Sequence, residues 1–214
     1  MNNAIELNNL RGPLESGIEQ LQLALPEDAV RQLLRYLALL VKWNKAYNLT
    51  AVRDPASMVS RHLLDSLAVM PFVQGERCAD IGTGAGLPGI PLAIAFPQKR
   101  FALIDSNGKK IRFVAQAITE LGLHNVNAIQ CRIEEWQPEQ RCDVILSRAF
   151  ATLADMATAC EHVLSEHGVM LAMKGIYPQQ ELSELPERFK VDACRELTIP
   201  GEAGQRHLVE IRCR

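Results

Sequence analysis

No stretch of this chain approaches the roughly 18 consecutive apolar residues that a membrane span needs, and its opening residues, MNNAIELNNLRGPLESG, lack the apolar centre of a secretory signal. The six cysteines (Cys78, Cys131, Cys142, Cys160, Cys194 and Cys213) include no C-x-x-C pair, and no histidine cluster stands at zinc spacing. Disulfide scaffolds and structural metal sites are thereby set aside, and a soluble cytoplasmic protein with reduced thiols, no metal and no membrane partner is expected. An excess of charge of one sign is missing too. Lys and Arg number 23 against 25 Asp and Glu, a net charge of −2. By region the basic and acidic counts are 7 and 7 for residues 1–70, 9 and 8 for 71–149, and 7 and 10 for 150–214. Any nucleic-acid surface must therefore be a local patch. Internal repeats and low-complexity tracts are absent as well.

What is present is ordinary globular material, 48% hydrophobic over 214 residues, enough for one domain or one domain with a small appendage. Residues 28–45 place Val30, Leu33, Leu34, Leu37, Leu40 and Val41 at helical spacing, with Asp28 suited to the N-terminus and Lys42 and Lys45 to the C-terminus. A second amphipathic helix is expected over 55–70, opening on Pro55. The two make residues 1–70 an N-terminal helical appendage. From residue 77 short apolar strands (77–81, 101–105, 126–130, 142–147, 168–173) alternate with helices at 89–96, 109–122 and 151–164. That alternation predicts an α/β domain over 71–214 with a mostly parallel sheet covered on both faces. FKVDACRELTIP and RHLVEIRCR, joined across GEAGQ, predict an antiparallel hairpin at its edge.

ADIGTGAGLPGIPLA, residues 79–93, carries the first functional signal. Glycine inside regular structure costs about 0.5–1 kcal/mol relative to alanine, so Gly82, Gly84 and Gly86 need a reason. They follow Asp80 at the carboxyl end of the first strand, where open α/β sheets bind ligands. The dinucleotide fingerprint G-x-G-x-x-G fails, because Leu87 stands three residues after Gly84. A nicotinamide-dependent oxidoreductase is correspondingly disfavoured. Asp105, ending the next strand, suits the two hydroxyls of a ribose; a helix cap within DSNGKK is its competing role.

The form D-x-G-x-G-x-G resembles motif I of the class I S-adenosylmethionine-dependent methyltransferases. KWNKAYNLTAVRD, RHLLDSL, DIGTGAGLPGIPLAI, LIDSNGKKIRF and SRAF, in that order and spacing, resemble the bacterial 16S rRNA guanine-N7 methyltransferases, also called glucose-inhibited division protein B. The resemblance covers roughly residues 30–175. It implies a Rossmann-like class I fold, S-adenosylmethionine as cofactor, and methylation of N7 of one guanine, numbered 527 by rRNA convention, in the small ribosomal subunit. It also implies a cofactor site at Gly82, Gly84, Leu87, Asp105, Ile133, Glu134 and Arg148. Ala85 departs from the proline frequent in the family between the last two motif I glycines. The alternative is a class I methyltransferase acting on another RNA, a protein or a small molecule.

Guanine N7 offers a lone pair and no proton, so no general base is required, and none is evident in the chain. Neither (D/N)-P-P-(Y/F) nor a Pro-Cys nucleophile is present, which points away from exocyclic amines and pyrimidine carbon 5. Arg148 at the end of the fourth strand is the positioning candidate, with a surface ion pair as its competing role. Candidate RNA contacts are Arg61, His62, Lys109, Lys110, Arg112 and Arg132, with Arg100, Lys42, Lys45 and Arg53 nearby in sequence. His62 suits a satisfied buried histidine equally well, and Trp43 and Tyr47 can either stack on a base or pack the appendage. A monomer is the default expectation.

Overall fold

The computed structural model describes residues 9–148 and 150–214. Residues 1–8 of the polar N-terminal stretch and Ala149 of S-R-A-F lie outside the described residues.

Seven strands form one sheet: β1 (Arg77–Ile81), β2 (Arg100–Ile104), β3 (Val126–Ile129), β4 (Cys142–Ser147), β5 (Leu164–Lys174), β6 (Phe189–Glu196) and β7 (His207–Cys213). Their spatial order is β3-β2-β1-β4-β5-β7-β6. The first five are parallel, and β7 inserts antiparallel between β5 and β6. The expected parallel sheet and edge hairpin are both borne out.

Successive residues of the central strands serve opposite faces. Cys78, Val144 and Leu146 join one apolar cluster; Ala79 and Ile145 join the other. Both faces are covered, which is why these strands read as unbroken apolar runs rather than alternating ones. The first face is covered by α2 (Ala29–Tyr47), α4 (Gly89–Ala95) and α5 (Gly108–Leu121), and the second by α6 (Leu153–Cys160), with the short α7 (Gln179–Ser183) beside it. Among the described residues no helix is long and apolar enough to cross a membrane.

Helix α2 ends at Asn48 in the left-handed conformation, φ 50°. Its apolar stripe, Leu33, Tyr36, Leu37 and Leu40, is fully buried in the same cluster as the sheet. Each such leucine contributes about 1.5–3 kcal/mol relative to exposure. Asp28 occupies the cap position without making a cap bond; it pairs with Arg31 at 2.7 Å instead.

Two helical features escape the periodicity. The first is α1 (Arg11–Gln20), inside a stretch that reads as polar; it buries Leu14, Gly17 and Ile18. Gly17 lets Leu64 approach so closely that a Cβ there would overlap it, so tertiary packing outweighs weak helix propensity. The second is a wide turn inside α3 (residues 55–67). That helix opens on Pro55 as expected, with Asp54 accepting from the amides of Ala56 and Ser57. It runs α-helical over Pro55–Met58, widens into a π-turn over Val59–Leu64, and closes over Asp65–Leu67. Such widenings occur frequently at functional sites.

Candidate functional site

The glycine loop leaves β1 at the carboxyl edge of the sheet. Gly82, Gly84 and Gly86 have φ of 67°, 60° and 85°, conformations that L residues rarely adopt. Asp80 anchors the loop from below. Its Oδ2 accepts from the Thr83 hydroxyl (2.6 Å) and from the Gly89 amide (2.8 Å), tying β1, loop and α4 together. Burial pushes the Asp80 carboxyl up to about 6, against the two hydrogen bonds that favour its charge. Its Oδ1 is buried with no hydrogen-bond partner among the described residues.

Asp105 reaches the loop from the end of β2. Its Oδ2 accepts from the Gly84 amide (3.0 Å) and lies 3.5 Å from the Lys110 ammonium; its Oδ1 accepts from the Asn107 amide (2.8 Å). Asn107, not Asp105, caps α5, through the Lys109 amide at 3.0 Å. The cap role that competed for Asp105 is thus taken by its neighbour.

A cleft of about 210 Å³ opens here, lined by Ile81, Gly82, Ile104, Asp105, Ser106, Cys131, Arg132, Ile133, Glu134 and Phe150. It gathers the ends of β1, β2 and β3 into apolar walls edged by carboxylates, a chemistry suited to a nucleoside. Gly82, Asp105, Ile133, Glu134 and Arg132 meet in it. Gly84 adjoins it through Asp105. Leu87 is buried among core residues, and its amide donates to the Thr83 carbonyl at 2.9 Å.

Arg148 lines a second cavity, of about 310 Å³, with Val52, Arg61, His62, Asp65, Met173, Lys174, Gly175 and Arg206. Asp65, only 4% exposed at its side chain, accepts from Arg148 Nη1 and from Arg206 Nε, both at 2.8 Å. The ion pair that competed with a site role for Arg148 therefore exists, inside a cavity rather than on the surface. Arg61 is more loosely held, 3.7 Å from Glu202. His62 is buried and fully engaged: Nδ1 faces the Arg61 carbonyl at 2.9 Å, so it carries the proton, and Nε2 accepts from the Thr50 hydroxyl at 2.9 Å. Burial holds the His62 imidazole down at about 4, which keeps it neutral at pH 7. The wide turn of α3 carries Arg61, His62 and, at its close, Asp65 to this cavity.

The other basic residues scatter. Lys109 and Arg112 are exposed on α5, and Lys42, Lys45 and Arg53 on and after α2. Arg100 opens β2 at its amino end, beside Gly75, Glu76 and Arg77, so the length of the strand separates it from Asp105. Trp43 packs on Phe113 and Tyr47, with centroids at 5.7 and 5.1 Å.

A model of the rRNA small subunit methyltransferase G (GidB) family matches residues 29–209. The chain belongs to that family. Curated members bear the name ribosomal RNA small subunit methyltransferase G; that of Pseudomonas aeruginosa is 53% identical over 94% of this chain and 94% of its own. That of Idiomarina loihiensis is 48% identical over 94% and 98%. Among solved structures, an Aquifex aeolicus SAM-dependent methyltransferase superposes with a TM-score of 0.60 over 77% of this chain and 96% of that one, at 16% identity, a likeness of fold.

Several contributors to the two cavities were not legible as site residues, Asp65, Phe150, Arg206 and Lys174 among them. Phe150 lines the cleft at β1–β3; its place just after S-R-A was the available signal. Arg206 enters the second cavity from just before β7 and Lys174 from the end of β5, where nothing in the local sequence distinguishes them from other cations near strand ends.

Proposed function

We propose that this chain transfers the methyl group of S-adenosylmethionine to N7 of one guanine in the 16S rRNA of the small ribosomal subunit, acting as a monomer in the cytoplasm. The carrying observation is the pairing, on one sheet edge, of a nucleoside-sized cleft at β1–β3 with a cationic cavity at β4, β5 and α3.

The residues present fit the cofactor. The left-handed glycine loop leaves backbone where a side chain would stand, Asp105 offers a carboxylate for ribose hydroxyls, and Ile81, Ile133 and Phe150 supply apolar walls for an adenine, with Glu134 at the rim. Beneath the loop the fully buried Asp80 fixes its shape through the Thr83 hydroxyl and the Gly89 amide. When bound, the cofactor supplies an electrophilic methyl on a sulfonium. Leu87 serves through its backbone, closing the loop on Thr83.

On the substrate side the chain has to position rather than deprotonate. An unprotonated N7 becomes a cationic ring on methylation, so charge placement decides the barrier. Asp65 holds Arg148 and Arg206 in fixed directions, and Arg61 and Lys174 complete a rim for phosphates. Arg132 adds a cation at the cofactor cleft itself, and Lys110 pairs with Asp105 there. The appendage proposed for residues 1–70 adds, through α3, a wall of the substrate cavity to the cofactor-binding domain of 71–214.

The test is methyl transfer from labelled S-adenosylmethionine to small subunits from a strain lacking this protein, followed by nucleoside analysis. Label in 7-methylguanosine is the expected result. Label in another nucleoside would keep cofactor and fold and overturn the target atom.

A further inference from the structure

Three large apolar side chains stand exposed among the described residues: Tyr47, Ile176 and Tyr177. Two of them are adjacent in sequence, and Ile176 is 75% exposed and Tyr177 52%. Their place is specific. They directly follow Lys174 and Gly175, which line the cationic cavity, and Tyr177 sets its ring edge-on against His207 at 5.6 Å, next in sequence to the cavity residue Arg206. The cavity thus borders the pair by two separate chain connections.

Contacts tie down the segment on both sides of the pair. The Gln179 amide donates to the Tyr177 carbonyl at 3.1 Å, and Lys174 binds Glu181 at 2.8 Å and the Ala151 carbonyl at 3.2 Å. His207 beside the ring is 6% exposed, and its Nδ1 has no hydrogen-bond partner among the described residues. Solvent-facing apolar surface fixed beside a cavity of arginines is the combination that single-stranded nucleic acid recognises: cations track phosphates and a ring face takes a base.

We infer that Ile176 and Tyr177 form a stacking platform for a nucleobase flanking the target guanine, which loses a stacking neighbour when the guanine enters the cavity. The inference rests on the RNA substrate proposed above. Lys174 and Arg206 hold the phosphates on either side, and the exposed face of Tyr177 covers the unstacked base.

The experiment measures methyl transfer to small ribosomal subunits by the wild type, Tyr177→Ala and Tyr177→Phe, with cofactor affinity and melting temperature followed in parallel. Tyr177→Ala should raise KM for the subunit roughly ten-fold, as the loss of one base–aromatic stack does, with cofactor affinity and melting temperature unchanged. Tyr177→Phe, which keeps the ring, should restore the wild-type KM. A benzophenone photo-crosslinker at position 177 should attach to 16S rRNA. An unchanged KM in Tyr177→Ala, or crosslinks to ribosomal protein alone, overturns the platform while leaving the activity standing. A wild-type enzyme that transfers no label to RNA overturns the activity and the platform together.

Discussion

The hydroxyl of Tyr36 donates a 2.6 Å hydrogen bond to the carbonyl of Ala85, the residue between the left-handed Gly84 and Gly86. Tyr36 is fully buried, against Phe113 at 6.2 Å, and burial raises its hydroxyl well above the usual tyrosine range, so it remains a donor. The N-terminal helix α2 thereby clamps the glycine loop from outside the sheet. Tyr36→Phe leaves the Ala85 carbonyl unpaired in an apolar setting, a loss of about 1–3 kcal/mol. The expected outcome is a melting temperature lower by a few degrees, at about 2–4 °C per kcal/mol, and S-adenosylmethionine affinity weakened several-fold by calorimetry. Wild-type affinity would show that the loop keeps its shape without the clamp.

Asp65 is shared by two arginines that no other acid among the described residues pairs with in the second cavity. Asp65→Asn leaves both guanidiniums under-compensated and free to turn. Methyl transfer should fall roughly ten- to hundred-fold, the equivalent of about 1.5–3 kcal/mol for a hydrogen bond to a charged group, while cofactor affinity holds. Steady-state kinetics beside calorimetry separates the two; a parallel loss of cofactor binding would place Asp65 in the wrong site.

Gly84 sits at φ 60°, and a Cβ there would meet only the Gly82 carbonyl, at 3.9 Å. The obstacle to a side chain is conformational, about 1–2 kcal/mol for an L residue and more for a branched one, and the side chain would stand in open space where the cofactor is proposed to lie. Gly84→Val should abolish cofactor binding in a chain whose circular dichroism still reports the native fold. Calorimetry showing unimpaired binding would sink the assignment of this loop.

His62 titrates at about 4 in the folded state against 6.5 for an ordinary histidine. Between those values the unfolded chain binds the extra proton and the folded one does not. Stability contributed here is therefore complete above about pH 6.5 and is lost as pH falls towards 4, by roughly 3 kcal/mol at 1.36 kcal/mol per unit. Asp80, raised to about 6, works in the opposite sense and cancels when two chains differing only at position 62 are compared. Urea unfolding of wild type and His62→Gln at pH 7 and pH 4.5 should show the wild-type advantage shrinking at the lower pH. A gap independent of pH contradicts a neutral, desolvated His62.

Contiguous residues by themselves determined the alternation of strand and helix, the edge hairpin, the ligand end of the sheet, and the acid and glycines that shape the first cleft. Each of these is written in local periodicity or in turn chemistry a few residues long, and local structure follows local sequence. The tertiary structure alone decided that Arg206 would meet Asp65 across 141 residues and Arg148 would meet it across 83. It also decided that α1 would be a helix at all, that α3 would widen before Asp65, and that Tyr36 would reach a loop 49 residues away. Such contacts form only once β7 is inserted beside β5 and the N-terminal helices are packed on the sheet, because burial and charge pairing act between surfaces that the chain has first to bring together.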